Sequence, residues 1–355
     1  LPDQVWTGAY GRLRVLAPNF LTNDFLRRLV KMGDVREIVE ALEPTWYGEH
    51  LEAMAAVYRP PELVEVASNR LLVRMNGLAM NLAPAYEKRV IATYLSKWDV
   101  QNVELLLASK VLKKGISEVE GFLVSERNLP VGFAGQLIPY SELKSLLSEQ
   151  DLTAVINSLV KYGFGSVLLQ QLGAFQKTQD LGVFSVALKN MYYSNLLWDL
   201  RYFRGDEGPI RDYIKAEITK NNLLNLVKGK LSDMDRESVH PHLINGGFFS
   251  EQTLLEFYNS PSFEELIQRF SSVFDVSGVA EAFSRSHNLS ILEARVDRSL
   301  VERYASRLKT SAPTASFLFY FLVRLERERE NLRRIVYGKH YQMSEEDISS
   351  VLLLW

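Results

Sequence analysis

The sequence predicts an all-α protein of three homologous helical modules, and three observations carry that prediction. Apolar residues recur at spacings of three and four along most of the chain, which is the period of an amphipathic helix. Glycine (20) and proline (12) are sparse for 355 residues, whereas a many-stranded fold needs a turn signal every 8–12 residues. Two sequence blocks each recur three times without gaps.

The block met first along the chain places Leu26, Leu29, Val35, Ile38 and Leu42 on the apolar faces of two short helices. It recurs as Leu143, Leu146, Leu152, Val155 and Leu159, and again as Leu254, Phe257, Phe263, Leu266 and Phe270. The residue entering the second short helix is Asp34, Asp151 or Ser262. All three are strong N-caps, whose side-chain oxygen accepts from the first free backbone N–H groups. Glu37 and Glu265 stand three residues on, as in a capping box, where the middle copy has Ala154.

The other block begins at Asn102, Asn222 and Asn331, each near the end of a longer helical run such as Tyr86 to Lys97, Ile210 to Lys220 or Phe317 to Glu330. Eight positions later stand Lys110, Lys230 and Lys339, and nine further on Val119, Val239 and Ile348. The cap column between them reads Gly115, Asp235 and Ser344. The repeated Asn predicts a helix-end or inter-helix hydrogen bond that defines the module. The repeated Lys predicts a basic helix end favoured by the macrodipole. Arranged around an axis, the three Lys would also form a basic set suited to an acidic or ring-shaped partner.

Block order gives the architecture. The pair near residue 34 has no Asn block before it, and the Asn block near 331 has no pair after it. The two orphan halves complete a third module if the ends of the chain meet. The expected division is 1–61 with 300–355, then 62–175, then 176–299. Such modules could surround a pseudo-threefold axis or stack as a solenoid. A Cys pair near Val35 and Ile348 should then join within one chain.

Chemistry is conspicuous by what is missing. No cysteine occurs, so disulfides, thiol nucleophiles and thiolate metal sites are excluded. The formal net charge of -2 argues against a general nucleic-acid binder. Of the histidines His50, His240, His242, His287 and His340, only His240-Pro-His242 is a close pair, and it has no third ligand at metal spacing. Tyr162-Gly-Phe-Gly165 is too short for a dinucleotide fingerprint, and neither a P-loop nor a serine-hydrolase elbow occurs. No catalytic, cofactor-binding or metal-binding residue is therefore predicted. The run Glu326-Arg-Glu-Arg-Glu-Asn-Leu-Arg-Arg334 reads as a solvated helix face laced by i,i+3 and i,i+4 pairs, with a partner-binding face as the sharper alternative. The longest apolar stretch, Phe317 to Val323, is too short to span a bilayer, and the first residues lack a signal-peptide pattern. A cytosolic chain is expected, touching a membrane only through partners.

One family resemblance extends this reading. Glu328-Arg-Glu-Asn331-Leu332-Arg-Arg-Ile335-Val-Tyr-Gly338-Lys339 resembles the C-terminal signature of the C subunit of archaeal (A-type) rotary ATPases, the family of the vacuolar-ATPase d subunit. Asp99-Val-Gln-Asn102-Val resembles its internal Asp-x-x-Asn element. Arg12-Leu-Arg14 and Leu42-Glu-Pro-Thr45-Trp-Tyr47-Gly48-Glu-His-Leu51 resemble its opening helix and first turn. The resemblance implies a funnel of three subdomains without an active site or cofactor. It implies a seat on the cytoplasmic face of the membrane rotor ring, contact with the D and F subunits of the central shaft, and transmission of torque between the ATP-handling head and the ion-conducting ring. A soluble helical-repeat scaffold with no rotary role is the alternative.

Overall fold

The computed structural model describes residues 2–85, 87–127, 129–130, 132–202, 207–286, 288–309 and 314–354. Tyr86, where one helical run was expected to begin, and His287 lie outside them. Among the described residues every regular element is helical.

Both blocks fold the same way at each occurrence. The paired short helices are α2 (Asn23–Val30) and α3 (Val35–Leu42), α9 (Tyr140–Ser148) and α10 (Leu152–Ser158), then α15 (Glu251–Tyr258) and α16 (Phe263–Gln268). Their caps act as such. Asp34 accepts from the backbone N–H groups of Arg36 and Glu37, Asp151 from those of Thr153 and Ala154, and Ser262 from that of Glu265. Glu37 accepts in turn from the N–H of Gly33 at 2.8 Å, one residue outside the cap. The Asn-block helices are α7 (Lys97–Val111) with α8 (Ile116–Val119), α13 (Glu207–Leu231) with α14 (Arg236–Val239), and α20 (Ala315–His340) with α21 (Glu345–Ser350).

The remaining long helices are α1 (Pro2–Leu16), α5 (Glu62–Leu82), α11 (Gly165–Thr178), α12 (Gly182–Asp199) and α18 (Leu289–Leu300), the last running through a π turn at Val301–Ala305 into α19 (Ser306–Leu308). Shorter helices α4 (Gly48–Met54), α6 (Lys88–Leu95) and α17 (Val279–Ser286) complete the set.

Packing follows one rule three times. The paired helices lie against the long Asn helix: α9 and α10 on α7, α15 and α16 on α13, and α2 and α3 on α20. A further long helix then returns to that same Asn helix. In this role α12 packs on α6 and α7, α18 on α13, and α5 on α20. The third instance joins the two ends of the sequence, and α2 also touches α21. The buried apolar side chains form one continuous core from Trp6 to Leu352.

Glycine serves this packing at the Asn-block turns. A Cβ on Gly229 would lie 2.7 Å from Val239 Cγ2, and one on Gly338 would lie 2.7 Å from Ile348 Cγ1. Contacts that close require a neighbour to move, so the α13–α14 and α20–α21 approaches depend on the missing side chain.

Candidate functional site

The three repeated asparagines make the same structure. Asn102 donates through Nδ2 to the carbonyl of Val124 at 3.0 Å and accepts the N–H of the same residue at 2.8 Å. Asn222 does so with Ile244 at 2.8 and 2.8 Å, and Asn331 with Leu353 at 2.9 and 2.8 Å. In each case the partner is 22 residues onward, beyond the last short helix. A buried amide in this pose imitates a strand neighbour and satisfies both backbone groups of a residue that no helix serves.

Three residues before each Asn stands a second acceptor. Asp99 accepts from the N–H groups of Leu137 and Ile138 at 2.8 and 3.2 Å. Thr219 Oγ1 accepts from the Phe248 N–H at 2.9 Å, and Glu328 from that of Leu21 at 2.6 Å. Each bond anchors the segment that enters the paired helices. Sequence reading isolated the Asp-x-x-Asn element at Asp99 but missed its counterparts, because Thr and Glu share acceptor chemistry with Asp rather than identity. Burial pushes the carboxyls of Asp99 and Glu328 up to about 7, against the pull of their hydrogen bonds.

The three lysines are half-buried and bond within the chain. Lys110 Nζ donates to the carbonyl of Leu147 at 2.6 Å and Lys230 Nζ to that of Ser260 at 2.7 Å, each crossing to its paired helices. Lys339 differs, with Glu345 at 3.9 Å. The acceptors therefore lie across the helix interface for two of the three, in addition to any effect of their own helix dipole.

The run 326–334 is not a solvated face, which corrects the reading from sequence. Glu328 and Arg329 are 3% and 4% exposed. The periodicity points successive charges at different neighbours, and each neighbour supplies the opposite sign. Glu326 meets Lys97 of α7 at 2.5 Å. Arg327 and Arg334 meet Asp297 of α18 at 3.4 and 3.1 Å. Arg329 and Arg333 meet Glu65 of α5 at 3.0 and 2.7 Å. Glu328 takes three donors from the opening segment: the Leu21 N–H, Trp46 Nε1 at 3.1 Å and Tyr47 Oη at 2.7 Å. The pairing of Glu330 with Arg334, at 3.2 Å, does follow the expected pattern along the helix. Asp297 also takes Lys220 of α13 at 2.7 Å, and the three cations hold its carboxyl well below the usual range despite burial.

A further column lies five residues before each Asn, where Lys97, Glu217 and Glu326 stand. Lys97 pairs with Glu326, and Glu217 faces Arg327 at 4.0 Å and accepts from Tyr213 Oη at 3.0 Å. Tyr94 Oη donates to Glu326 at 3.3 Å. The Asn helices thus exchange charge at one shared level.

Histidines and glycine pairs belong to the framework. His50 is buried, which pushes its ring pKa down. His240 contacts Glu251, and His242 lies 3.4 Å from Asp180. Among the described residues no group of three His, Cys, Asp or Glu is placed to hold a metal ion. Gly165 sits where a Cβ would be 2.4 Å from the Ile156 carbonyl, so the Tyr162–Gly165 segment serves a close helix approach.

Fold and clasps together define an all-α protein in which one helical unit recurs with the same buried asparagine bond. The model of the ATP synthase (C/AC39) subunit family matches residues 9–351. The chain is 32% identical over 351 residues to the C subunit of the A-type ATP synthase from Thermoplasma volcanium, covering 99% of both chains. It is 30% identical to the protein of the same name from Thermoplasma acidophilum, again over 99% of both. It is 22% identical to that of Methanocaldococcus jannaschii, covering 96% of this chain and 84% of the relative. This chain belongs to the ATP synthase (C/AC39) subunit family. No helix among the described residues is long and apolar enough to cross a membrane.

Proposed function

We propose that this protein is a non-catalytic central-stalk component of an A-type rotary ATPase, docking the rotating shaft onto the membrane rotor ring at its cytoplasmic face. Its partners are then the proteolipids of the ring and the D and F subunits of the shaft, and it carries torque between ATP turnover and ion movement. The single observation behind this reading is the closure of α20 onto the opening segment by the bond from Leu21 to Glu328, the same acceptor bond that Asp99 and Thr219 make in the two internal repeats. Three like units joined head to tail, with α5, α12 and α18 each returning to an Asn helix, suit a closed funnel around a pseudo-threefold axis. Family membership favours the rotary setting.

The module division follows from the same rule: a terminal module from both ends of the chain and two internal ones beginning near 62 and 176. The counterpart of α5 and α12 in the terminal module is α18, so a boundary near 289 treats the three alike better than one near 300. Buried cross-links between units give such an adaptor stiffness, since twisting one unit must break charge pairs in the next.

Reconstitution tests the proposal. Ring, shaft and this chain should co-purify, and omission of this chain should detach shaft from ring and abolish ATP-driven ion pumping. Pumping retained without the chain would overturn the docking role, and ATP hydrolysis by the isolated chain would overturn the non-catalytic one.

A further inference from the structure

A cavity of 440 Å³ opens between α1 and the first half of α20, within the size range of small-ligand pockets, roughly 300–1,000 Å³. Its walls are aromatic. Tyr10 packs on Phe317 with ring centroids 4.6 Å apart, and Phe20 packs edge-on to Phe321 at 5.3 Å. Three cations join these rings around the cavity: Arg14, Lys309 and Arg324. The Arg324 guanidinium lies 4.3 Å from the Phe20 ring centroid, and Arg14 Nη1 donates to Tyr10 Oη at 3.1 Å.

No carboxylate lines this cavity, and among the described residues none of the three cations forms an ion pair. The contrast within α20 is sharp. Further along the helix Arg327, Arg329, Arg333 and Arg334 all meet acidic partners directly, whereas Arg324 acts on the Glu328 carboxylate without forming an ion pair. Where cations hold the fold together they are neutralised. Around the cavity, three positive charges converge on apolar rings with nothing of opposite sign among the lining residues.

We propose that this cavity binds an anionic amphiphile, a phosphate or carboxylate carried on an apolar body. The body would lie on Tyr10, Phe317 and Phe321, and the anion would be held by Arg324 and Lys309, with Arg14 at the edge. Arginine on a ring face keeps its fork of donors directed outward for an oxyanion. This inference is independent of the docking role.

The test uses octyl phosphate as the probe, with octanol and inorganic phosphate as controls that keep only the tail or only the charge. Calorimetric titration of the full chain should show saturable binding of one octyl phosphate. Each control should bind at least about tenfold more weakly, because octanol forfeits the charge-assisted hydrogen bonds and inorganic phosphate forfeits the apolar contact. Lys309→Gln and Arg324→Gln should each weaken binding about tenfold, and Arg324→Lys should lose less. Lys309 is exposed, so its replacement leaves the fold intact. Vesicles of phosphatidylglycerol separate two sources of the same chemistry. Flotation of the chain with vesicles, blocked by octyl phosphate, assigns a lipid, and saturable binding without flotation assigns a free amphiphile. Absence of saturable binding, octanol binding as tightly as octyl phosphate, or binding unchanged in the Lys309→Gln, Arg324→Gln double variant would overturn the proposal.

Discussion

The carboxylate of Glu328 accepts a 2.6 Å hydrogen bond from the backbone N–H of Leu21, across 307 residues of sequence. Asp99 and Thr219 make the corresponding bond within their own stretches of chain, over 38 and 29 residues. The terminal closure is therefore built by the local rule of the repeat, applied at long range.

The asparagine clasps should differ in strength between copies. Replacing Asn222 or Asn331 by Ala strands a buried N–H and C=O pair, at a cost of about 2–4 kcal/mol. Asn102→Ala strands only the Val124 N–H, because the Val124 carbonyl also accepts from Gln136 Nε2, and should cost about 1–3 kcal/mol. Urea unfolding would measure this. In Asn331→Ala, hydrogen exchange should quicken first around Leu352 and Leu353. A loss below about 0.5 kcal/mol at any one copy, the lower end for a single hydrogen bond, would mean that its clasp is ornamental.

Asp99 and Glu328 make stability fall as pH rises. Their folded carboxyls are raised to about 7, above the ordinary values of 3.8 and 4.5. Between those limits the folded state holds more protons than the unfolded state. The stabilisation is thus complete below the unfolded value and lost on passing through the folded one, by at most roughly 3–4 kcal/mol for each group. Asp99→Asn should weaken the protein slightly at acid pH and gain on the wild type as pH rises toward 7. Parallel urea midpoints for both proteins across that range would contradict the assignment.

Asp297 runs the other way. Its carboxyl lies well below the ordinary value because Lys220, Arg327 and Arg334 surround it. Its contribution is present above the unfolded value of about 3.8 and lost as pH falls through the folded one. Asp297→Asn leaves three inward cations short of a counter-charge and should cost about 3–5 kcal/mol at neutral pH. The deficit should shrink under strong acid, as followed by circular dichroism in the far and near ultraviolet.

Gly338→Ala should cost about 1–3 kcal/mol, because its Cβ would press on Ile348. Pairing it with Ile348→Val removes the Cδ1 atom that lies 2.9 Å from the new methyl and should recover part of the loss. A double-mutant cycle on thermal midpoints would register the coupling.

Helical class, the triple repeat and the caps were readable because they depend on local spacing. Asp34, Asp151 and Ser262 bond within three residues of themselves, so their role is visible in a short window. The asparagines were visible as a column, but their partners were not. Val124, Ile244 and Leu353 lie in irregular segments that no periodicity marks. The charge run failed for a different reason. Alternating Glu and Arg looks the same whether water or other helices supply the counter-charges, and Glu65 and Asp297 stand far away in sequence. The cavity beside α1 was equally hidden, since its aromatic and cationic residues come from both ends of the chain.

The distance between Leu21 and Glu328 also sets a timetable. Helices α2 to α4 leave the ribosome long before α20, their packing partner, has been made. At about 5–20 residues per second, the gap between Tyr47 and Glu328 is roughly a quarter of a minute to a minute. Throughout that wait Leu26, Leu29, Ile38 and Leu42 have no α20 to cover them. An interrupted synthesis therefore leaves the apolar face of the opening segment without the helix that covers it in the finished fold.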